Sequence, residues 1–109
     1  MRRSDHQLAL ESLEHLAMLE RHVAEGSWSA QVTVDAVCLR LAAAIDAAAR
    51  LSADGRDRAF GDAWPVVRAT RNRIVHGYTT IDAQIVRATV ENDLGALRAA
   101  LEQLVERAP

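Results

Sequence analysis

The sequence predicts an all-α fold, an antiparallel four-helix bundle with room for a short extra helical turn in the loop before the third long helix. Three observations carry that prediction. Apolar residues recur every three or four positions over long stretches, the segments between those stretches are short, and the alternation that builds strands is almost absent. With 109 residues, half hydrophobic and about a quarter charged, the chain is expected to form a single domain (residues 1–109) whose core needs neither disulfide nor metal.

From Asp5 to Glu25, Leu8, Leu13, Leu16, Leu19 and Val23 fall on one helical face with charges between them, and Gly26 marks the end. His15 and His22 share a face seven residues apart. Two histidines without a third ligand fit a solvated or interface surface better than a zinc site. After the connector Ser27-Trp28-Ser29, either Ser29 or Thr33 is placed to cap a second helix, with Asp35 near the positive end of its dipole. Val34, Val37, Cys38, Leu41, Ile45 and Ala48 form its stripe. The alanine triplets 42–44 and 47–49 let a neighbouring helix come close.

Ser52 to Asp62 carries Gly55 and Gly61 among charges and reads as a loop, with the extra turn around Arg58 to Phe60. The third long helix begins near Asp62 to Trp64. Pro65 lies in its first turn, where a missing backbone donor costs nothing, and Gly77 suits the turn that ends it. Asp82 then caps the last helix, flanked by Ile81 and Val86 at the positions of a hydrophobic staple. Its stripe runs Val86, Val90, Leu94, Leu97, Leu101, Leu104 and reaches about Glu106.

Composition limits the function classes. No apolar run has the length of a membrane span and no export signal is visible, so a cytoplasmic protein without membrane contact is expected. The single cysteine, Cys38, fits a reducing compartment and reads as a small core hydrophobe. There is no glycine-rich phosphate loop and no dense cluster of ligands, so no cofactor and no metal are expected. The net charge is −2, which does not suit bulk coating of nucleic acid. Between Arg56 and Tyr78, however, five arginines face two acids, a local +3 in a chain otherwise at −5. A basic island of this kind suggests a local anion site.

That island contains Arg71-Asn72-Arg73-Ile74-Val75-His76-Gly77-Tyr78, which brings a permanent cation, an amide, an imidazole and a phenol to the end of a helix. A guanidinium neutralises phosphate in fork geometry and an imidazole moves protons near neutral pH, so the set suits work on a phosphodiester. Five residues separate Arg71 from His76, about 140° in helical projection, so their side chains diverge within one chain. Asn72, four residues from His76, shares its face. A phosphate held by both Arg71 and His76 is easier to build from two copies of the helix end facing each other across a twofold axis.

The spacing Arg71, four residues, His76, one residue, Tyr78, with Asn72 directly after the arginine, resembles the signature of the HepT-like toxins of the HEPN superfamily. Trp64 before the motif, Ile81-Asp82 after it, and Asp35-Ala36-Val37 with Arg40-Leu41 upstream agree in order and spacing, roughly from Leu8 to Val105. The resemblance implies a HEPN-like helical bundle and a homodimer whose paired motifs form one site. It also implies metal-independent endoribonuclease activity, in which a ribose 2′-hydroxyl attacks the adjacent phosphorus. On that basis Arg71, Asn72 and His76 are the expected catalytic residues. His76 carries the proton, and its place in the last turn of a helix favours the cation and so an acid; Arg71 meets the phosphate and Asn72 orients.

Arg68 and Arg73 are expected to track substrate or to be solvated. For Tyr78 the resemblance implies modification with AMP by a partner nucleotidyltransferase, an MntA-type antitoxin, which would place anionic phosphate beside Arg71 and switch the toxin off. The second helix departs from the family pattern: it keeps Arg40, Leu41 and Ala47 but has Asp46 where relatives carry a longer acid, which leaves the role of Asp46 open. The alternative reading is a non-catalytic HEPN dimer that binds a nucleotide or the nucleotidyltransferase as an interaction module. Nothing in the chain reads bases, so the RNA substrate is open.

Overall fold

Helices α1 (Asp5–Glu25) and α2 (Gln31–Ala49) are followed by a short helix α3 (Ala53–Phe60) and a 3₁₀ turn at Gly61–Ala63. Helix α4 (Trp64–His76) and the long α5 (Ala83–Arg107) complete the chain. These elements come from a computed structural model that describes residues 3–76 and 82–107; the side chains of Val75 and His76 lie outside the description. Among the described residues the fold is all helical, as the periodicity predicts. None of these helices is long and apolar enough to cross a membrane.

Helix α1 has the expected bounds. Ser4 caps it through a reciprocal box in which its hydroxyl accepts from the Gln7 N–H while the Gln7 side chain accepts from the Ser4 N–H. At the other end Gly26 is required by close approach rather than by a left-handed backbone. A Cβ there would lie 2.3 Å from Thr33 Oγ1 and 2.8 Å from the His22 carbonyl oxygen. Neither Ser29 nor Thr33 caps α2, whose N-cap is Ala30 with no side-chain bond. Thr33 is instead buried, and its hydroxyl accepts the Ser27 N–H across the connector at 3.2 Å.

Helices α1 and α2 pack antiparallel along their length, and their alanines allow it: Ala9, Ala44, Ala47 and Ala48 are completely buried. The Ser12 hydroxyl, also fully buried, donates to the Ala44 carbonyl at 2.7 Å, so the one polar group at the centre of this contact is satisfied. Arg40 donates to His15 Nδ1 at 3.1 Å across the same interface, which gives His15 a structural partner. Cys38 is buried in the core. Burial, helped by the charge of Asp35, pushes its thiol up to about 11, which leaves it protonated and inert at neutral pH.

The predicted loop from Ser52 to Asp62 is in fact mostly helix. Ser52 caps α3 by accepting the Gly55 N–H at 3.0 Å, and Asp5 holds the cap by accepting from both the Ser52 N–H (2.8 Å) and the Ser52 hydroxyl (2.6 Å). Gly55 is small because Asp5 reaches over it: an added Cβ would lie 2.3 Å from Asp5 Oδ2. Gly61, at φ +53°, ends the helix in a conformation other residues rarely adopt.

Helix α5 returns along α1, with Arg98 paired to Glu20 and the Arg87 guanidinium over the Trp28 ring. Asp82 caps it by accepting the Gln84 N–H at 2.9 Å. Val86, Leu94, Leu97, Leu101 and Leu104 are buried as the stripe predicts, whereas Val90 is only partly covered. Ile81, the other half of the expected staple, and Gly77 lie outside the described residues.

Candidate functional site

Helix α4 is attached differently from the others. None of its described residues is fully buried; Trp64, Val67 and Ile74 rest half-covered against the core, while Val66 is largely exposed. Pro65 occupies its second position, as expected, and the Thr70 hydroxyl bonds back to the Val66 carbonyl at 3.0 Å. The helix lies against α2, and residues near the end of α2 face its side between Trp64 and Asn72. A cleft forms along this line, about 310 Å³ in volume, floored by Ile45 and Ala49 and walled by Asp46, Arg56, Trp64, Arg68, Arg71 and Asn72.

The strongest polar contact in the cleft joins Arg71 to Asp46. Arg71 Nε donates to Asp46 Oδ1 at 2.7 Å and Nη2 donates to Oδ2 at 3.2 Å, a two-point fork. The pair crosses from α4 to α2 over 25 positions of sequence, with Arg71 the more covered partner. Fork pairing fixes the plane of the guanidinium as well as its position. Asp46, whose role the sequence leaves open, thus helps to orient Arg71.

Of the expected site residues, Arg68, Arg71 and Asn72 come together in this one cleft. Arg73 is exposed and does not line it. His76 is the last residue of α4, one turn beyond Asn72; its side chain, and all of Tyr78, lie outside the described residues. Two cleft residues were not foreseen as site residues. Trp64 lies on the same helical face as Arg68, Arg71 and Asn72, at offsets of four, seven and eight residues, so its place in the cleft is readable from spacing. Arg56 is not, because it arrives from α3 across a contact that no local pattern encodes.

Arg56 is held in two ways. Its Nη1 donates to the Ala49 carbonyl at 3.1 Å, and its guanidinium carbon stands 5.6 Å from the centre of the Trp64 ring, within range of a cation–π contact. Phe60 supports the indole from another side, with ring centres 5.4 Å apart at a 39° tilt. Among the described residues neither Arg56 nor Arg68 forms an ion pair with an acid. Asp46 is the single acid in the cleft wall and is engaged by Arg71, so the lining keeps a net positive charge. No three histidine, cysteine or acidic side chains cluster as a metal site among the described residues.

A second depression, about 250 Å³ and mainly apolar, separates α4 from α5; Phe60, Val66, Val67, Leu94 and Leu97 line it. It touches neither Arg71 nor Asn72. The polar cleft is therefore the candidate site, a small basic concavity with one aromatic wall.

No individually curated protein and no solved structure matches the chain. The family described as ribonuclease HepT-like matches residues 9–104, which takes in α2, α3, α4 and nearly all of α1 and α5, with the whole cleft and the motif. The helical bundle and the Arg71 to Tyr78 spacing therefore have one common explanation: the chain belongs to the HepT-like ribonuclease family of the HEPN superfamily.

Proposed function

We propose that the chain is a metal-independent endoribonuclease, the toxin of a toxin–antitoxin pair, acting as a homodimer in which two copies of the Arg71-x4-His76 motif build one composite site. The observation that carries this reading is the meeting of Arg68, Arg71 and Asn72 in a single basic cleft on the helix that ends at His76. In the reaction the 2′-hydroxyl of a ribose loses its proton and its oxygen bonds to the adjacent phosphorus. The bond from phosphorus to the 5′-oxygen breaks and that oxygen takes up a proton, leaving a 2′,3′-cyclic phosphate and a 5′-hydroxyl. Arg71, which Asp46 helps to orient, meets the charge that builds on the phosphoryl oxygens, His76 carries a proton, and Asn72 orients the reacting group.

The outward face of α2 supports the homodimer. Val32 and Leu39 are largely exposed there and recur with Asp46 at intervals of seven, so an apolar strip leads along the helix to the Asp46–Arg71 pair. A twofold contact along that strip brings two clefts together. Regulation would come through Tyr78: its hydroxyl loses its proton, the oxygen bonds to the α-phosphorus of ATP on an MntA-type nucleotidyltransferase, pyrophosphate leaves, and the AMP ester adds anionic phosphate to the motif, which opposes the binding of RNA phosphate.

The test is incubation of purified protein with total RNA in the presence of a chelator, wild type beside His76→Ala, followed by identification of the RNA ends. Wild-type cleavage with cyclic phosphate ends and none by the variant is expected. A folded, dimeric, unmodified wild type that leaves RNA intact would shift the reading to a non-catalytic dimer that binds a nucleotide or the transferase.

A further inference from the structure

The cleft beside the motif holds more than a ribonuclease needs at phosphorus. One end carries Arg71 and Asn72, which face the reacting phosphate in the reading above. At the other end, two helical turns and about 10 Å along α4, stands Trp64 with the Arg56 guanidinium over its ring. Arg68 lies between them on the same face. An arginine over a tryptophan is common in proteins, and this chain has a second example in Arg87 over Trp28. The Arg56 pair differs by forming the wall of a concavity that contains two further arginines.

We infer that the Trp64 end of this cleft is a nucleobase subsite: an unpaired base of the RNA stacks on the outer side of the Arg56 guanidinium, which Trp64 backs, while Arg68 takes the phosphate between that base and the phosphate held at Arg71. This inference rests on the ribonuclease reading and names its substrate class as single-stranded RNA. The chemistry favours that class over a duplex. Every base has a π-face, so an aromatic wall beside backbone-tracking cations binds a strand whose bases are free to turn outward. A base already stacked within a helix is not available to it. The volume, about 310 Å³, is at the small end of ligand pockets, enough for one nucleotide at a time. Stacking also tolerates any sequence, so the subsite selects strandedness and spacing rather than letters.

The position of Trp64 provides the reporter. The chain has two tryptophans, and Trp28→Phe leaves Trp64 as the only indole. A short 2′-O-methyl oligoribonucleotide, which has no 2′-hydroxyl to attack phosphorus, is titrated into that protein while its fluorescence is followed, beside the same backbone with abasic residues. The expected result is saturable quenching by the base-bearing strand and about tenfold weaker binding, without quenching, by the abasic one. Trp64→Leu should weaken binding of the base-bearing strand about tenfold and Trp64→Phe should restore most of it, with helical content unchanged in both.

Equal affinity for the two strands, or an unquenched Trp64 at saturation, overturns the subsite. Its fate separates from that of the enzyme. Quenching by a wild type that cleaves no RNA supports the subsite and removes the ribonuclease; cleavage with an unquenched Trp64 does the reverse.

Discussion

Two halves of this bundle are built on opposite terms. Where α1 meets α2, side chains are buried to completion, alanines bring the backbones together, and each end is closed by a specific polar contact, Asp5 on Ser52 at one and Thr33 on Ser27 at the other. Where α4 lies on α2, no described residue of α4 is fully buried, and the two-point Asp46–Arg71 bridge joins the two helices beside the half-covered Trp64, Val67 and Ile74. The first half is a clamp and the second is a surface. Their difference shows how a chain of this size supports a basic cleft: it buries one face each of α1, α2 and α5 and leaves the helix that carries the motif only half-covered.

Core truncation tests that contrast most strongly. Leu16→Ala, in the α1–α2 contact, should lose about 3 kcal/mol in a denaturant melt, whereas Val67→Ala, under α4, should lose about 1 kcal/mol. Similar losses would break the distinction.

Glycine replacements sharpen it. Gly55→Ala drives a methyl into the Asp5 carboxylate and should cost about 2 kcal/mol, although alanine is the better helix former. Gly95→Ala, with nothing within 4 Å of its added carbon inside α5, should instead stabilise by about 0.5 to 1 kcal/mol in the same melt. A stabilised Gly55→Ala would mean that Asp5 does not hold the α3 cap.

On the surface half the effect moves from stability to rate. Asp46→Asn removes one charge of the fork without changing its shape. It should change unfolding free energy by less than about 1 kcal/mol while lowering RNA cleavage about tenfold, since Arg71 loses part of what orients it. A loss of stability with cleavage intact would assign the bridge to holding α4 alone.

The smallest expected effect is electrostatic and belongs to the clamp. Glu11 takes ion pairs from both Arg3 and Arg50. Burial acts to raise its pKa, but the Arg3 hydrogen bond and the charges of Arg50, Arg3 and His15 outweigh it and hold the carboxyl below its ordinary value. The folded state therefore binds the Glu11 proton less readily than the unfolded chain does. This stabilisation is fully present above the unfolded pKa and disappears as pH falls through the lowered folded one. Glu11→Gln should cost about 0.5 kcal/mol at pH 7, and the difference from wild type should vanish in acid, measured by melts at a series of pH values.

What the sequence reveals about this molecule follows the range of the interactions involved. The stripes of α1, α2 and α5 are local and repeat every three or four residues; most of their members are buried, with Leu13, Val23 and Val90 only partly covered and the small Ala9, Ser12, Ala44 and Ala47 buried beside them, and the bounds of α1 agree at both ends. Local reading fails where a distant residue decides. Gly55 resembles a loop breaker until Asp5, fifty positions away, is seen to require its missing side chain. Thr33 resembles a cap, but the gap beneath Gly26 draws it inward. In the candidate site, Arg71 and Asn72 are legible through the motif and Arg68 through the basic island around it. Arg56 is hidden because the sequence predicts a loop where α3 forms, and Asp46 acquires a role only through its partner on α4.

The half-covered packing of α4 bears on how the molecule opens. Amide exchange reports the free energy of the smallest opening that exposes each N–H, and that energy is set by the apolar contacts the opening breaks. Because no described residue of α4 is fully buried, its amides are expected to exchange through a partial opening that costs less than global unfolding, faster than those of α1 and α2 in a hydrogen-exchange measurement. Any ligand bridging α4 to α2, whether an RNA phosphate at Arg71 or a base at Trp64, closes that opening and slows exchange in α4 first.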